Sequence, residues 1–210
     1  MTEIIFILDR SGSMAGLEDD TIGGFNAMIK KQQSAPEEKT FVSTILFNDK
    51  SSVLHDRVPL AEVAPLTEED YQVGGTTALL DAVGEAIKHI KNIHKYARAE
   101  DVPQKTLFII TTDGMENASH KFSYSDVKKL IEEQKNLGWE FVFLGANIDA
   151  AEVAEHIGIS ADRAVNYHSD KVGTRKAYKA MSNVVMQARM KFRPDKNWRK
   201  ELDEDFEQRK

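Results

Sequence analysis

The sequence contains no cysteine in its 210 residues. Disulfide scaffolds, thiolate zinc sites, iron–sulfur clusters and a cysteine nucleophile are all excluded by that one absence. Long apolar runs are missing too. The N-terminal run is only Ile4-Ile5-Phe6-Ile7-Leu8, and Asp9 and Arg10 end it abruptly. A secretory signal needs roughly 7–15 apolar residues behind a basic stretch. A bilayer-crossing helix needs about 20. The expectation is a soluble, cytoplasmic chain with no membrane contact. Positive charge is in deficit: 28 Lys and Arg stand against 34 Asp and Glu, a formal net charge of -6. The mean field of such a chain repels phosphate, so no nucleic-acid partner is expected. Internal repeats and linker-like segments are also lacking.

What is present suits one folded domain with a short appendage. Hydrophobic residues make up 41% and charged residues 30%, enough for a buried core. Ile4 to Leu8 reads as a strand buried on both faces of a parallel sheet. Ile22, Phe25, Met28 and Ile29 then recur at helical spacing. Phe41–Phe47 and Ser51–Val58 read as a hairpin across Asn48-Asp49-Lys50, the more polar second strand at an edge. Ala78, Ala82, Ala86, Ile87, Ile90 and Ile93 trace the apolar stripe of a long helix. Thr106 to Thr111 is a second central strand, and Glu140 to Leu144 a third.

Between those two strands lies a helix capped by Ser123 or Ser125, with Val127, Leu130, Ile131 and Leu137 inward and Gly138 closing it. A short helix through Val153 and Ile157 follows, then a short strand over 164–167. A helix over 174–190 packs back on the body. Alternating strands and helices indicate an α/β domain with a mainly parallel sheet. The domain is expected over 1–190. Residues 191–210, dense in mixed charge with only Phe192, Trp198 and Phe206 as apolar anchors, read as a solvated extension.

In an open parallel sheet, ligands sit beyond the carboxyl ends of the strands, where the topology switches direction. The first buried strand ends in Asp9-Arg10-Ser11-Gly12-Ser13, and the long strand in Thr111-Thr112-Asp113-Gly114. Between them, Gly74-Gly75-Thr76-Thr77 opens the long helix. Taken singly, each segment is ordinary turn chemistry. Together they supply only hard oxygen donors, which match octahedral Mg²⁺ or Mn²⁺ with water completing the shell. Gly12 lets the loop turn tightly enough for the hydroxyls on either side to face one centre, and two carboxylates would balance a dication.

Asp9-Arg10-Ser11-Gly12-Ser13, with Met14 after it, resembles the Asp-x-Ser-x-Ser signature of the von Willebrand factor type A domain. Gly74 to Ala82 is similar to that family's threonine loop, and Thr112-Asp113-Gly114-Met115-Glu116-Asn117 to its aspartate loop. The three motifs fall in the family's order within residues 2–167. The resemblance implies a three-layer, doubly wound, Rossmann-like fold with about six strands, one of them an antiparallel edge. It also implies a metal-ion-dependent adhesion site. Ser11 and Ser13 would bind the ion directly, Asp9 and Asp113 largely through water, and a threonine directly or through water. Thr77 is preferred to Thr76 because it stands five residues before Ala82, the family's spacing to a small helix residue. The family site leaves one metal position open for a carboxylate of a partner protein. The short chain without a leader suits an intracellular bacterial or phage member.

Three functions compete at this level. A metal-dependent protein-binding module leads, with no enzymatic step. A Mg²⁺-dependent phosphohydrolase is disfavoured because dehalogenase-like chemistry wants a second Asp two residues after the first, where Ser11 stands. Neither a Gly-rich phosphate loop with Lys-Ser/Thr nor a G-x-S-x-G elbow is present. A domain with an idle metal site is the third reading. The 6 histidines are read as surface or structural groups. Glu116, Asn117 and Ser119 are expected to make caps or loop hydrogen bonds, and Asn147 and Asp149 to turn the chain and cap the next helix.

Overall fold

A computed structural model describes residues 1–35, 38–190, 193–195 and 197–209. Among these residues six strands form one sheet in the order β3-β2-β1-β4-β5-β6. They are β1 (Thr2–Asp9), β2 (Thr40–Phe47), β3 (Ser51–Pro59), β4 (Lys105–Thr112), β5 (Glu140–Gly145) and β6 (Ala164–Asn166). All neighbouring pairs run parallel except β2 and β3. The hairpin, the polar edge strand and the parallel centre therefore stand as the residue pattern predicts. β3 also carries the sheet's irregularity: its register with β2 shifts around Thr44, and Arg57 takes a positive φ of 51°.

Among the described residues six α-helices cover the sheet: α1 (Glu18–Gln33), α2 (Leu79–Tyr96), α3 (Tyr124–Asn136), α4 (Ala150–His156), α5 (Lys171–Met190) and α6 (Lys200–Gln208). The pleat of β1 sets which face each helix meets, because successive side chains point to opposite sides. Ile4, Phe6 and Leu8 join a core with Phe25, Met28 and Ile29 of α1 and Ala177, Met181 and Val184 of α5. Ile5 and Ile7 join the other, with Val83, Ile87 and Ile90 of α2, Val127 and Ile131 of α3, and Ala154 of α4. Every residue of β1 is buried. Truncating Ile7 to Ala in such a place costs about 2–5 kcal/mol.

Local signals explain the helix ends. Ser123 and Asp126 form a reciprocal capping box at α3, so Ser123 is the cap. Gly138 and Gly158 take positive φ after α3 and α4. Leu137 is 73% exposed; the helix has ended there, so its side chain leaves the inward face expected of it.

The C-terminal extension departs from expectation. Its charged composition predicts a solvated segment, yet Trp198 and Leu202 are buried and belong to the α1/α5 core. α6 packs against α5 and β6, and the Trp198 indole N–H donates to the Asp162 carbonyl at 3.1 Å. A periodic apolar pair among charges is enough to seat one helix face when a complementary groove is available, and composition does not register the groove. Phe192 lies outside the described residues.

Candidate metal centre

The chain leaves β1 toward β2 on one side and later returns through α2 to β4 on the other, so the switch point lies between β1 and β4. Both strands end there. Leu8 pairs with Thr111, which sets Asp9 beside Thr112. The Thr112 hydroxyl donates to Asp9 Oδ2 at 2.7 Å, and the Ser11 backbone N–H donates to Asp9 Oδ1 at 2.7 Å. Tyr71, fully buried, donates its hydroxyl to the Asp9 carbonyl.

The Ser-x-Ser turn brings Ser11 Oγ and Ser13 Oγ to 3.0 Å. Gly12 N–H donates to the Gly75 carbonyl at 3.0 Å, and Gly74 N–H to the Arg10 carbonyl at 3.0 Å, so the threonine loop is zipped onto the serine loop. Gly75 holds a φ of 77°, and a Cβ there would strike the Asp49 carboxylate; glycine is required at this approach. Ser13 Oγ donates to Asp113 Oδ1. Above Gly114 the hydroxyls of Ser13 and Thr77 converge, 3.2 and 3.4 Å from the point a Cβ would occupy.

All five residues singled out in the sequence, Asp9, Ser11, Ser13, Thr77 and Asp113, therefore gather at one point. Thr76 is exposed and Thr77 buried, which favours Thr77 as the site threonine. Asp9, Ser11, Thr77 and Asp113 are all buried, and Ser13 opens the recess to solvent. Asn117 explains how Thr77 is held: its Oδ1 accepts the Thr77 N–H at 2.9 Å while its own N–H donates to the Thr77 carbonyl. Glu116 accepts the N–H groups of Leu80, Ala118 and Ser119, and so makes the loop hydrogen bonds expected of it. Asp149 caps α4 through the Glu152 N–H. Asn147, in the left-handed region at φ 55°, turns the chain and also donates to the Asp113 carbonyl at 3.3 Å.

The electrostatics are unusual for a protein interior. Burial pushes the Asp9 carboxyl above the usual carboxylate range, against the lowering effect of the Thr112 and Ser11 donors. Asp113 is raised for the same reason, against its bonds from Ser13 and Ser169. Among the described residues, neither carboxylate has an ion-pair partner. Nor do three His, Cys, Asp or Glu side chains cluster as ligands among them. The donor set is instead two carboxylates and three hydroxyls, hard oxygens throughout. It fits a hard divalent cation, whose charge would relieve the two desolvated acids.

Residues 3–182 match the model of the von Willebrand factor type A domain. The chain belongs to this family. Solved structures of the same fold include the PilB minor pilin of Streptococcus sanguinis, 12% identical with a TM-score of 0.61, covering 89% of this chain and 61% of that one. Another is proximal thread matrix protein 1 of the mussel byssus with a zinc-occupied MIDAS motif, 17% identical with a TM-score of 0.57, covering 86% and 44%. A von Willebrand factor type A protein of Catenulispora acidiphila is 15% identical with a TM-score of 0.54, covering 88% and 42%. This chain thus spans less than two thirds of each of these proteins, and the likeness is one of fold. No curated protein matches the sequence. Among the described residues of this von Willebrand factor type A (VWA) domain, no helix is long and apolar enough to cross a membrane.

Sequence reasoning missed several supports of the site. Thr112, Tyr71 and Ser169 hold Asp9 or Asp113, yet Tyr71 and Ser169 carry no motif signal. Thr112 alone stood inside a recognised segment, as the residue before Asp113 in the aspartate loop.

Proposed function

We propose that this VWA domain is a metal-ion-dependent protein-binding module with no catalytic step. Ser11, Ser13 and Thr77 would hold Mg²⁺ or Mn²⁺, with Asp9 and Asp113 behind them. One observation carries the reading: two buried carboxylates share one recess with three hydroxyls and have no basic partner among the described residues. When bound, the cation supplies a positive centre that attracts an outside carboxylate. Asp9 fixes the serine loop through the Ser11 N–H, and Asp113 accepts the hydrogen bond of the Ser13 hydroxyl, which aims that oxygen's lone pairs away from the carboxylate. The partner is a protein presenting Asp or Glu at the mouth of the recess. Met115, 72% exposed beside Gly114, offers it an apolar contact. The cysteine-free composition suits a cytoplasmic setting.

Relaxation of water protons by Mn²⁺ tests the open position. Bound Mn²⁺ should enhance relaxation, and acetate should reduce the enhancement by displacing coordinated water. A Ser11→Ala/Ser13→Ala variant should show neither effect. Bound Mn²⁺ that is indifferent to acetate would remove the carboxylate-accepting role while leaving the metal.

A further inference from the structure

The three motif loops are not the whole of the site. The connection from β6 to α5 carries His168-Ser169-Asp170, and Ser169 Oγ donates to Asp113 Oδ2 at 3.1 Å. Both oxygens of this buried carboxylate are thus held by hydroxyls, Ser13 on one side and Ser169 on the other.

The loop bearing Ser169 is gripped by α6. Asp170 accepts the Gly173 N–H at 2.8 Å through Oδ1 and the Arg209 guanidinium at 2.6 Å through Oδ2. The His168 ring stacks on Phe206 with centroids 4.8 Å apart. Beneath them the loop lies directly on the first turn of α5, where a Cβ at Gly173 would collide with the His168 backbone. α6 is anchored in turn by buried Leu202 and by the Lys176–Asp205 ion pair at 2.5 Å. It lies beyond the residues 3–182 that match the VWA family. A continuous path therefore runs from the C-terminal helix to the metal recess.

We infer that Ser169 is a positioning residue of the metal site and that α6, by holding the 168–170 loop, sets the site's affinity for its cation. The inference rests on the metal-binding reading above. Its physical basis is the fate of the Ser13 proton. A hydroxyl that gives a lone pair to a cation needs a fixed acceptor for its hydrogen, and Asp113 Oδ1 is that acceptor. Without Ser169 the carboxylate is held from one side only, through Ser13, and Oδ2 loses its hydroxyl donor. Outer-sphere partners of this kind typically change metal affinity by about 10–100-fold. The Arg209–Asp170 pair is exposed and contributes little by itself. The grip resides in Phe206 and Arg209 together. A partner that lifts α6 from its groove would weaken cation binding, and cation binding would in turn favour the docked helix.

Depletion of the free Mn²⁺ electron paramagnetic resonance signal measures the affinity of the full chain. Thermal unfolding in EDTA confirms that each variant folds. Ser169→Ala should bind Mn²⁺ roughly tenfold more weakly, and Ser169→Thr should bind as the wild type does. Phe206→Ala/Arg209→Ala should weaken binding at least about twofold; if that variant fails to fold, the milder Phe206→Leu/Arg209→Ala is read in its place. Combined with Ser169→Ala, the α6 changes should cause no further loss, since they act through the same hydroxyl. Unchanged or tighter binding by Ser169→Ala overturns the inference, as do losses that multiply in the combined variant. A wild type that never depletes the Mn²⁺ signal overturns the metal-binding reading itself, an outcome distinct from any variant-specific result.

Discussion

β1 carries a buried carboxylate near each end, and the two ends treat it in opposite ways. Glu3, fully buried, is paired with Arg57 Nε at 2.5 Å and His94 Nε2 at 2.5 Å, and His94 packs edge-on against Trp139. Six residues along the same strand, Asp9 meets, among the described residues, hydroxyls and an N–H rather than a base, with a second acid nearby in Asp113. The first end is a neutralised structural cluster. The second is a pair of desolvated acids without a basic partner among the described residues, which on the proposed reading a cation would compensate. Charge balance, rather than burial, separates a structural acid from one arranged for a cation.

The comparison can be broken most sharply at Glu3. Replacing it with Ala leaves Arg57 and His94 without their shared partner, and breaking such a buried pair costs about 3–5 kcal/mol. Urea unfolding should show this loss with or without Mg²⁺. If the loss shrank when Mg²⁺ was present, the two ends would not be independent.

The cation response comes next in size. At a hundredfold excess over the dissociation constant, Mg²⁺ or Mn²⁺ should stabilise the chain by about 2.7 kcal/mol, a rise of roughly 5–10 °C in Tm for a domain of this length. Calorimetry should show the rise in the wild type and in Glu3→Gln, and none in Ser11→Ala/Ser13→Ala. A shift that survives the double serine variant would place the cation elsewhere.

Asp113→Asn should act in the opposite direction when no metal is present. Burial raises the folded-state pKa of Asp113 above its unfolded value. Its ionised form is therefore disfavoured in the fold: the relative stability present below the unfolded pKa is lost as pH rises through the folded one. In EDTA near neutral pH the Asn variant should melt a few degrees above the wild type. The gap should close as pH falls through the carboxylate range. With excess Mg²⁺ the order should reverse, because only the wild type gains the ion. An Asn variant less stable than the wild type in EDTA at pH 7 would show that hydroxyl donors alone satisfy Asp113.

The smallest effect is expected at Trp139→Phe. Losing the indole edge against His94 and part of the stack on Phe108 should cost about 0.5–1.5 kcal/mol. The Mg²⁺-induced shift should stay unchanged. A diminished shift would show that packing at the Glu3 end reaches the site across the sheet.

How much of this was legible depends on whether the signal is local. Strand Ile4–Leu8, the Asn48-Asp49-Lys50 hairpin and a cap at Ser123 or Ser125 follow from neighbouring residues; the structure has the first two where the pattern puts them and takes Ser123 for the cap. Asp9, Ser11 and Ser13 are legible because they stand within one turn. Thr77 and Asp113 could be added because Gly74 to Ala82 and Thr112 to Asn117 resemble the family's threonine and aspartate loops. Ser169 has no such mark. It reaches Asp113 from 56 positions away, through a contact that only the packing of α5 beside β4 creates. Trp198 and Leu202 were illegible for a related reason: surrounded by charge, their burial depends on a groove made by α5 and β6.

By itself, the sequence determined the periodicities that make the parallel sheet, the polar edge strand, the helix caps and the oxygen-donor character of the strand ends, because each depends on residues within a few positions of one another. Only the tertiary structure decided that Glu3 is neutralised while Asp9 and Asp113 are not, that Thr77 rather than Thr76 is turned inward, and that the charged C-terminus docks as a helix whose loop contact reaches Asp113. These depend on which side chains are within a few ångströms after folding, and electrostatic energy at that range is set by distance and burial, neither of which a linear order of residues contains.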